Sequence, residues 1–358
     1  MTAVVGRGAR ALAPVHSSAA EVVAAGRRAR GRRRRLVLGL LVVAAVGLFA
    51  ASLMVGKTFY SPAEVLGVIL GHDVDGATFT VGRLRLPRAV LAVLTGACFG
   101  LGGVTFQTML RNPLASPDII GISSGASAAA AFAIVVLGLG GAQVSAFAIV
   151  AGIAVALGIY GLAYRGGVAG TRLVLIGIGI AATLNAVTDY ILKTAPQWEL
   201  QEAMRWLTGS LNGASWEQVR PVLVATVVLA PVLLLLARDL GLLRLGDDTA
   251  SALGVRTERT RIVLIIAAVG LIAFATAAAG PIAFVAFLAG TIAARLVGPH
   301  GSPLVPAALV GVVLVLAADL VGQYAFGSRY PVGVITGALG APYLVYLIAR
   351  TNRTGGSL

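Results

Sequence analysis

Residues 261–295 read RIVLIIAAVGLIAFATAAAGPIAFVAFLAGTIAAR, and the 33 positions between Arg261 and Arg295 carry no charged side chain. At about 1.5 Å per residue a single helix over that run would reach ~50 Å, well beyond a hydrocarbon core of about 30 Å. One crossing cannot use that length, and Gly280-Pro281 marks the turn between two. The run 119–164 is equally free of charge and is interrupted by Gly138-Leu139-Gly140-Gly141, so it reads as a helical hairpin. Extending the same reading outward gives about ten spans, at 36–56, 89–108, 118–137, 143–164, 173–192, 218–237, 261–279, 281–297, 304–323 and 332–349. The expected fold class is an all-α polytopic membrane protein.

Composition agrees. Of the 358 residues, 58% are hydrophobic and 12% charged, and the mean hydropathy is +0.92, whereas soluble domains run near a quarter charged. The 46 glycines suit close packing of transmembrane helices. The single Cys98 has no disulfide partner within the chain, and His16, His72 and His300 lack metal-site spacing, so no metal site is expected.

The net charge of +14 is placed for topology rather than for nucleic acid. Nine arginines precede Leu36, including Arg32 to Arg35. With ten helices and a cytoplasmic N-terminus, 20 of the 28 Lys and Arg residues fall inside and 8 outside. This is the positive-inside asymmetry, and it puts both termini in the cytoplasm of a protein of the cytoplasmic membrane. Residues 1–35 read as a disordered, basic cytoplasmic tail that can also meet anionic lipid, 36–350 as the ten-helix domain, and 351–358 as a short cytoplasmic tail. The apolar segment after the basic tail has no small-residue cleavage site, so it is not read as a signal peptide.

Polar segments between spans carry their own signals. Ser61-Pro62-Ala63-Glu64 is a capping box with proline at the first helical position, opening a short helix that ends near Gly71. Ser116-Pro117-Asp118 gives a similar start for the third span, and Ser215 with Gln218 opens the sixth. The cytoplasmic segment 238–260 contains Gly246-Asp247-Asp248-Thr249-Ala250-Ser251-Ala252-Leu253-Gly254, which reads as a short helix capped by aspartate and closed by glycine. Such a helix suits a protein partner better than a small molecule.

A family resemblance rests on a series of motifs in order. They are Arg85-Leu86-Pro87-Arg88; Gly96 and Gln107; Arg111-Asn112-Pro113-Leu114-Ala115-Ser116-Pro117-Asp118 leading to Gly121 and Gly125; Trp206 with Gly209-Ser210; the loop from Leu245-Gly246 to Leu253-Gly254; Gly280-Pro281-Ile282-Ala283-Phe284-Val285; and Pro331-Val332-Gly333 through Gly337 to Gly340-Ala341-Pro342. From about Leu36 to the C-terminus the chain resembles FecCD-type permease subunits of bacterial ABC importers for iron siderophores, haem and vitamin B12. That resemblance implies the type II ABC importer permease fold, a second permease subunit that is either a copy or a paralogue, a dimer of cytoplasmic ATPases, and an extracytoplasmic substrate-binding protein. It also implies a ferric siderophore or similar chelate as substrate.

The resemblance assigns roles to residues. The loop Gly246, Asp247, Asp248, Ala250, Ser251, Leu253 and Gly254 matches the ATPase-coupling segment. Arg85 and Arg88, with Arg83 nearby, match arginines that pair with acidic residues of the binding protein. Arg329 stands where many relatives have glutamate, so it either joins that docking patch or balances a charge in the second permease. Gly290-Thr291 replaces a usual proline and histidine in the eighth span; glycine also permits a bend. The fifth and tenth helices are expected to line the path, which makes Asn185, Thr188 and Asp189 candidates, although Asp189 near the outer end can simply reach water. The glycine-rich loop Tyr164 to Arg172 is a candidate inner gate. Asp319 and Gln323 read as a structural hydrogen-bonded pair.

No Walker A loop occurs in the chain, so ATP and Mg belong to the partner ATPase and no enzymatic chemistry is expected here. The competing class is an ion-coupled secondary transporter, for which only Asp189 and Asp319 would serve as intramembrane carboxylates. A permease for vitamin B12 or haem is the nearer alternative.

Overall fold

The computed structural model describes residues 19–117, 121–164, 170–298 and 301–353. In chain order its helices are α1 (Ala19–Met54), α2 (Pro62–Ile69), α3 (Ala77–Phe79), which continues through a π-helical stretch Thr80–Arg85 into α4 (Leu86–Met109), α5 (Ile122–Val135), α6 (Ala142–Ala163), α7 (Gly170–Thr194), α8 (Gln197–Leu207), α9 (Trp216–Leu235), α10 (Ala237–Leu243), α11 (Asp247–Ala252), α12 (Thr257–Ala279), α13 (Val285–Val297), α14 (Leu304–Tyr324) and α15 (Val332–Arg353). Among the described residues eight helices are long and apolar enough to cross a membrane, and α5 and α13 are shorter apolar helices at the third and eighth expected spans. Alternating direction puts both ends of the described chain at one face of the bundle, here the terminal face. The opposite, far face carries α2 and α8.

α4 is the centre of the bundle, almost wholly buried and packed against α14, α12, α13 and α9. The reason is side-chain size. A Cβ on Gly96 would land on the backbone of Gly311, and one on Gly311 would land on Gly96; Gly100 meets Ala307 and Gly103 meets Ala286 in the same way. Without a hydrophobic drive between helices in lipid, such backbone approach lets dispersion contacts hold α4 to its neighbours.

Both expected capping boxes are formed. The Ser61 amide donates to Glu64 Oε2 at 2.7 Å, the Glu64 amide donates to Ser61 Oγ at 3.4 Å, and the Ser215 amide donates to Gln218 Oε1 at 3.2 Å. Other boundaries differ from the sequence expectation. The third span starts at Ile122 rather than near 118, after Gly121 at φ +93°; Asp118 lies outside the described residues. α13 starts at Val285 after a non-helical stretch 280–284, which is tolerated at membrane depth because protein covers it. At 14 and 13 residues α5 and α13 are each only about 20 Å long.

The tail is not disordered over 19–35, where it forms the first half of α1. Alanine and arginine are good helix formers, and two arginines find partners across the bundle: Arg33 donates to the Leu296 carbonyl at 3.1 Å and Arg34 to the Ser302 carbonyl at 2.6 Å. α8, between the fifth and sixth spans, was not anticipated. Its surface carries Trp198, 82% exposed.

Candidate functional site

At the far face the arginines of the Arg85-Leu86-Pro87-Arg88 motif are committed within the chain. Arg85 Nη1 donates to the carbonyls of Leu53 and Met54 at 2.8 and 2.9 Å, and Nη2 to Thr58 at 2.7 Å. Its guanidinium also lies 5.0 Å from the Tyr60 ring centre. It therefore satisfies orphan carbonyls at the C-terminus of α1 and complements that end of the dipole. Arg88 makes a bidentate pair with Asp319, at 2.9 Å from Nε to Oδ2 and 2.7 Å from Nη2 to Oδ1. Its Nη1 donates to Asn212 Oδ1 at 2.7 Å. Gln323 Nε2 adds 2.8 Å to the same carboxylate, so the expected Asp319–Gln323 pair is present and centres on an arginine.

Within the single chain both guanidinium groups are therefore already engaged. Arg83 and Arg329 are exposed instead. Arg329, Lys57, Arg85 and Arg88 line one far-face cavity of about 260 Å³ together with Asp319 and Gln323.

Three of the quoted motifs meet at one junction. The Ser210 amide donates to the Ala279 carbonyl at 2.7 Å, and the Gly333 amide donates to the Gly209 carbonyl at 3.0 Å. Gly280 presses on Trp206 and Gly209, and Gly333 on Thr208, with no room for a Cβ. Pro331 stands just before this contact, and Gly280-Pro281 forms the turn that it closes.

Towards the terminal face, Gln107 Nε2 donates to the Pro113 and Phe287 carbonyls, each at 3.0 Å, and the Leu114 amide donates to Asn112 Oδ1 at 2.8 Å. The Asn112-Pro113-Leu114-Ala115 segment is thereby fastened to α4 and α13. Gly290 packs directly on the Gln107 side chain, Thr291 donates back to Phe287 and Leu288, and α13 runs unbroken through both. Pro117 is buried, and Gly125 packs on Val155. Of the proposed inner gate between Tyr164 and Arg172, residues 165–169 lie outside the described residues.

α11 is rigidly framed. Gly246 caps its start at φ +106°, and the end is a Schellman motif: the Val255 amide donates to Ala250 at 3.0 Å and the amide of Gly254, at φ +88°, to Ser251 at 2.9 Å. The expected aspartate cap is not formed. Asp247 is instead the first helical residue, and its carboxylate accepts from Arg261 Nη2 at 3.0 and 3.1 Å. Ala250 is 0% exposed, whereas Leu253 and Leu245 are 55% and 60% exposed. Asp248 and Ser251 are also on the open side. Ala250 thus anchors the helix, while Leu245 and Leu253 present it.

The path candidates do not all share a face. Asn185 and Asp189 are exposed on α7, but Thr188 is buried and donates to the Leu184 carbonyl at 2.9 Å. Asn185 lines a cavity of about 360 Å³ with Ser124 and Ser127 of α5, Phe284, Phe287 of α13 and Leu344 of α15. The serines escaped the sequence reading, although the i, i+3 spacing of Ser124 and Ser127 on an alanine-rich helix was a usable signal. So did the stacking of Arg295 between Tyr343 and Tyr346, at 5.4 and 5.3 Å from the two ring centres.

A model of the FecCD transport family matches residues 40–350. The chain belongs to that family. Among relatives of this FecCD chain, the achromobactin transport system permease protein CbrC of Dickeya dadantii is 42% identical over 320 residues, covering 88% of this chain and 91% of that one. The ferric enterobactin transport system permease protein FepG of Escherichia coli is 39% identical over 325 residues, covering 90% and 98%. A solved structure described as an inward-facing conformation of a metal-chelate type ABC transporter superposes with a TM-score of 0.79 at 27% identity, covering 88% of this chain and 99% of that one. The FecCD chain is therefore a multi-pass membrane subunit with the type II ABC importer permease fold.

Proposed function

We propose that this chain forms the translocation path of an ATP-driven importer that carries a ferric siderophore or similar iron chelate across the cytoplasmic membrane. The observation that carries the reading is the family match along almost the whole bundle, joined to a capped helix α11 flanked by two exposed leucines, Leu245 and Leu253, on the terminal face. The two relatives described above are named for achromobactin and ferric enterobactin, which favours an iron chelate over vitamin B12 or haem.

On this reading both termini and α11 face the cytoplasm, in keeping with the excess of arginine on that side. A dimer of ATPases, holding ATP and Mg, seats α11 in its grooves, and closure of the nucleotide sites moves the helix and with it the bundle. A second permease, copy or paralogue, completes the path. The binding protein docks at the far face, where Arg83 and Arg329 offer free charge and the Arg85 and Arg88 networks stiffen the platform. Asn185 and Asp189 border the path.

Ion-coupled transport is the weaker reading, since Asp319 is committed to a bidentate pair with Arg88, which leaves Asp189 as the one carboxylate named above for such a role. The test is co-purification with the ATPase and second permease, followed by ATP hydrolysis with and without iron-loaded binding protein. Stimulated hydrolysis by a stable complex is expected. A chain that purifies alone and moves substrate under an ion gradient would overturn the reading.

A further inference from the structure

The cavity bounded by α5, α7, α13 and α15 has two unlike walls. One is polar. Five helical hydroxyls elsewhere in this chain turn back on their own helix, although Thr276 does not: Thr95, Thr105, Thr183, Thr188 and Thr226 each donate to the carbonyl four residues earlier at 2.7–3.0 Å. Ser124 and Ser127 make no such bond among the described residues, and Asn185 across from them makes none either. Ser124 and Ser127, half-buried, and Asn185, exposed, thus turn three hydrogen-bonding groups toward one open space rather than back onto their own helices.

The other wall is aromatic. Phe284 is held at φ +62°, a left-handed conformation that bulky side chains avoid. Gly340 of α15 has no room for a Cβ beside it, and Phe287 meets it edge-on with ring centres 6.4 Å apart. Backbone strain at this position holds a phenyl ring against the cavity, and such strain collects at ligand sites. No ionisable side chain is among the lining residues.

We propose that Ser124, Ser127 and Asn185, facing Phe284 and Phe287, form a binding station for the intact chelate: its iron-bound and amide oxygens accept from the polar wall while its hydrocarbon or aryl surface lies on the rings. The station holds no carboxylate, imidazole or thiol, so it takes the organic shell and not bare ferric ion. This rests on the importer reading and names the part of the substrate that the path recognises.

The test uses the full complex in ATP-loaded proteoliposomes, with ferric enterobactin as an aryl probe and ferric citrate as an aliphatic one. The triple variant Ser124→Ala, Ser127→Ala, Asn185→Leu removes up to three hydrogen bonds and should slow uptake of both probes by about 10- to 100-fold. The variant should still co-purify with the ATPase and second permease as the parent does, because α11 is untouched. Phe284→Leu should slow the aryl probe more than the aliphatic one. Should the triple variant fail to assemble, Ser127→Ala alone and Phe284→Leu carry the test. Unchanged uptake in assembled variants would overturn the station while leaving the importer standing. A parent complex that carries neither probe and shows no stimulated hydrolysis would overturn both.

Discussion

Asp319→Asn would leave the Arg88 guanidinium, 17% exposed, facing a neutral amide deep in the far end of the bundle. Two charge-assisted hydrogen bonds at 2.7 and 2.9 Å are lost or weakened. At an effective dielectric near 20, unit charges about 4 Å apart attract by about 4 kcal/mol, and removal of one partner of a buried pair costs about 3–5 kcal/mol. Because Asn212 continues to accept from Nη1 and water reaches part of the guanidinium, the lower end, about 3 kcal/mol, is expected. Arg88→Lys keeps the charge but not the fork, so it should recover only part of the loss. The assay is unfolding of the detergent-purified chain in a double-mutant cycle with Arg88→Met and Asp319→Leu. The pair should be coupled by about 2 kcal/mol, with the double variant more stable than either single one. A coupling below about 0.5 kcal/mol, together with weakened binding-protein affinity in Arg88→Met alone, would refute the structural role and restore Arg88 to docking.

Other expectations follow from the same contacts. Leu253→Asp should leave the chain folded but abolish co-purification with the ATPase, whereas Ala250→Asp, at a position with no exposed surface, should lower yield of the chain itself; equal behaviour of the two by size exclusion would contradict this. Gly96→Val should drive α4 and α14 apart and cost several kcal/mol, on the order of an overpacked core or more, read as loss of folded protein in detergent. The hydroxyl and then the amide of Ser61 hold the Glu64 carboxyl below the usual carboxylate range. The α2 cap is therefore intact above the ordinary glutamate pKa and is lost as pH falls through the lowered value. Hydrogen exchange in α2, corrected for intrinsic rates, should rise in acid, and flat protection would contradict the cap.

The bilayer made the spans legible. Apolar runs of the required length, with at most one charge in each expected span, read correctly through α6, α7, α9, α12 and α14, and Ser61 and Ser215 marked two helix starts by local chemistry alone. The shortening of α5 and α13 was not legible, because the segments 112–117 and 280–284 that lead into them are themselves mostly apolar or half-buried. Roles of charged side chains were least legible. Arg88 and Asp319 stand 231 positions apart, and nothing local distinguishes an arginine that meets a partner protein from one that meets a carboxylate across the bundle. Asp247 looked like a cap until Arg261, on the following helix, took its carboxylate. Ala250 and Leu253 sit one turn apart on a short helix, and only packing decides that one is anchor and the other contact. The serine wall was visible as spacing, but its free hydroxyls were not.

The most direct measurement is uptake of a radioiron chelate by proteoliposomes containing the chain, its ATPase, the second permease and the loaded binding protein. The account predicts accumulation that needs internal ATP, persists when ionophores dissipate proton and sodium gradients, and disappears with Leu253→Asp. Accumulation driven by an imposed ion gradient without ATP would contradict it.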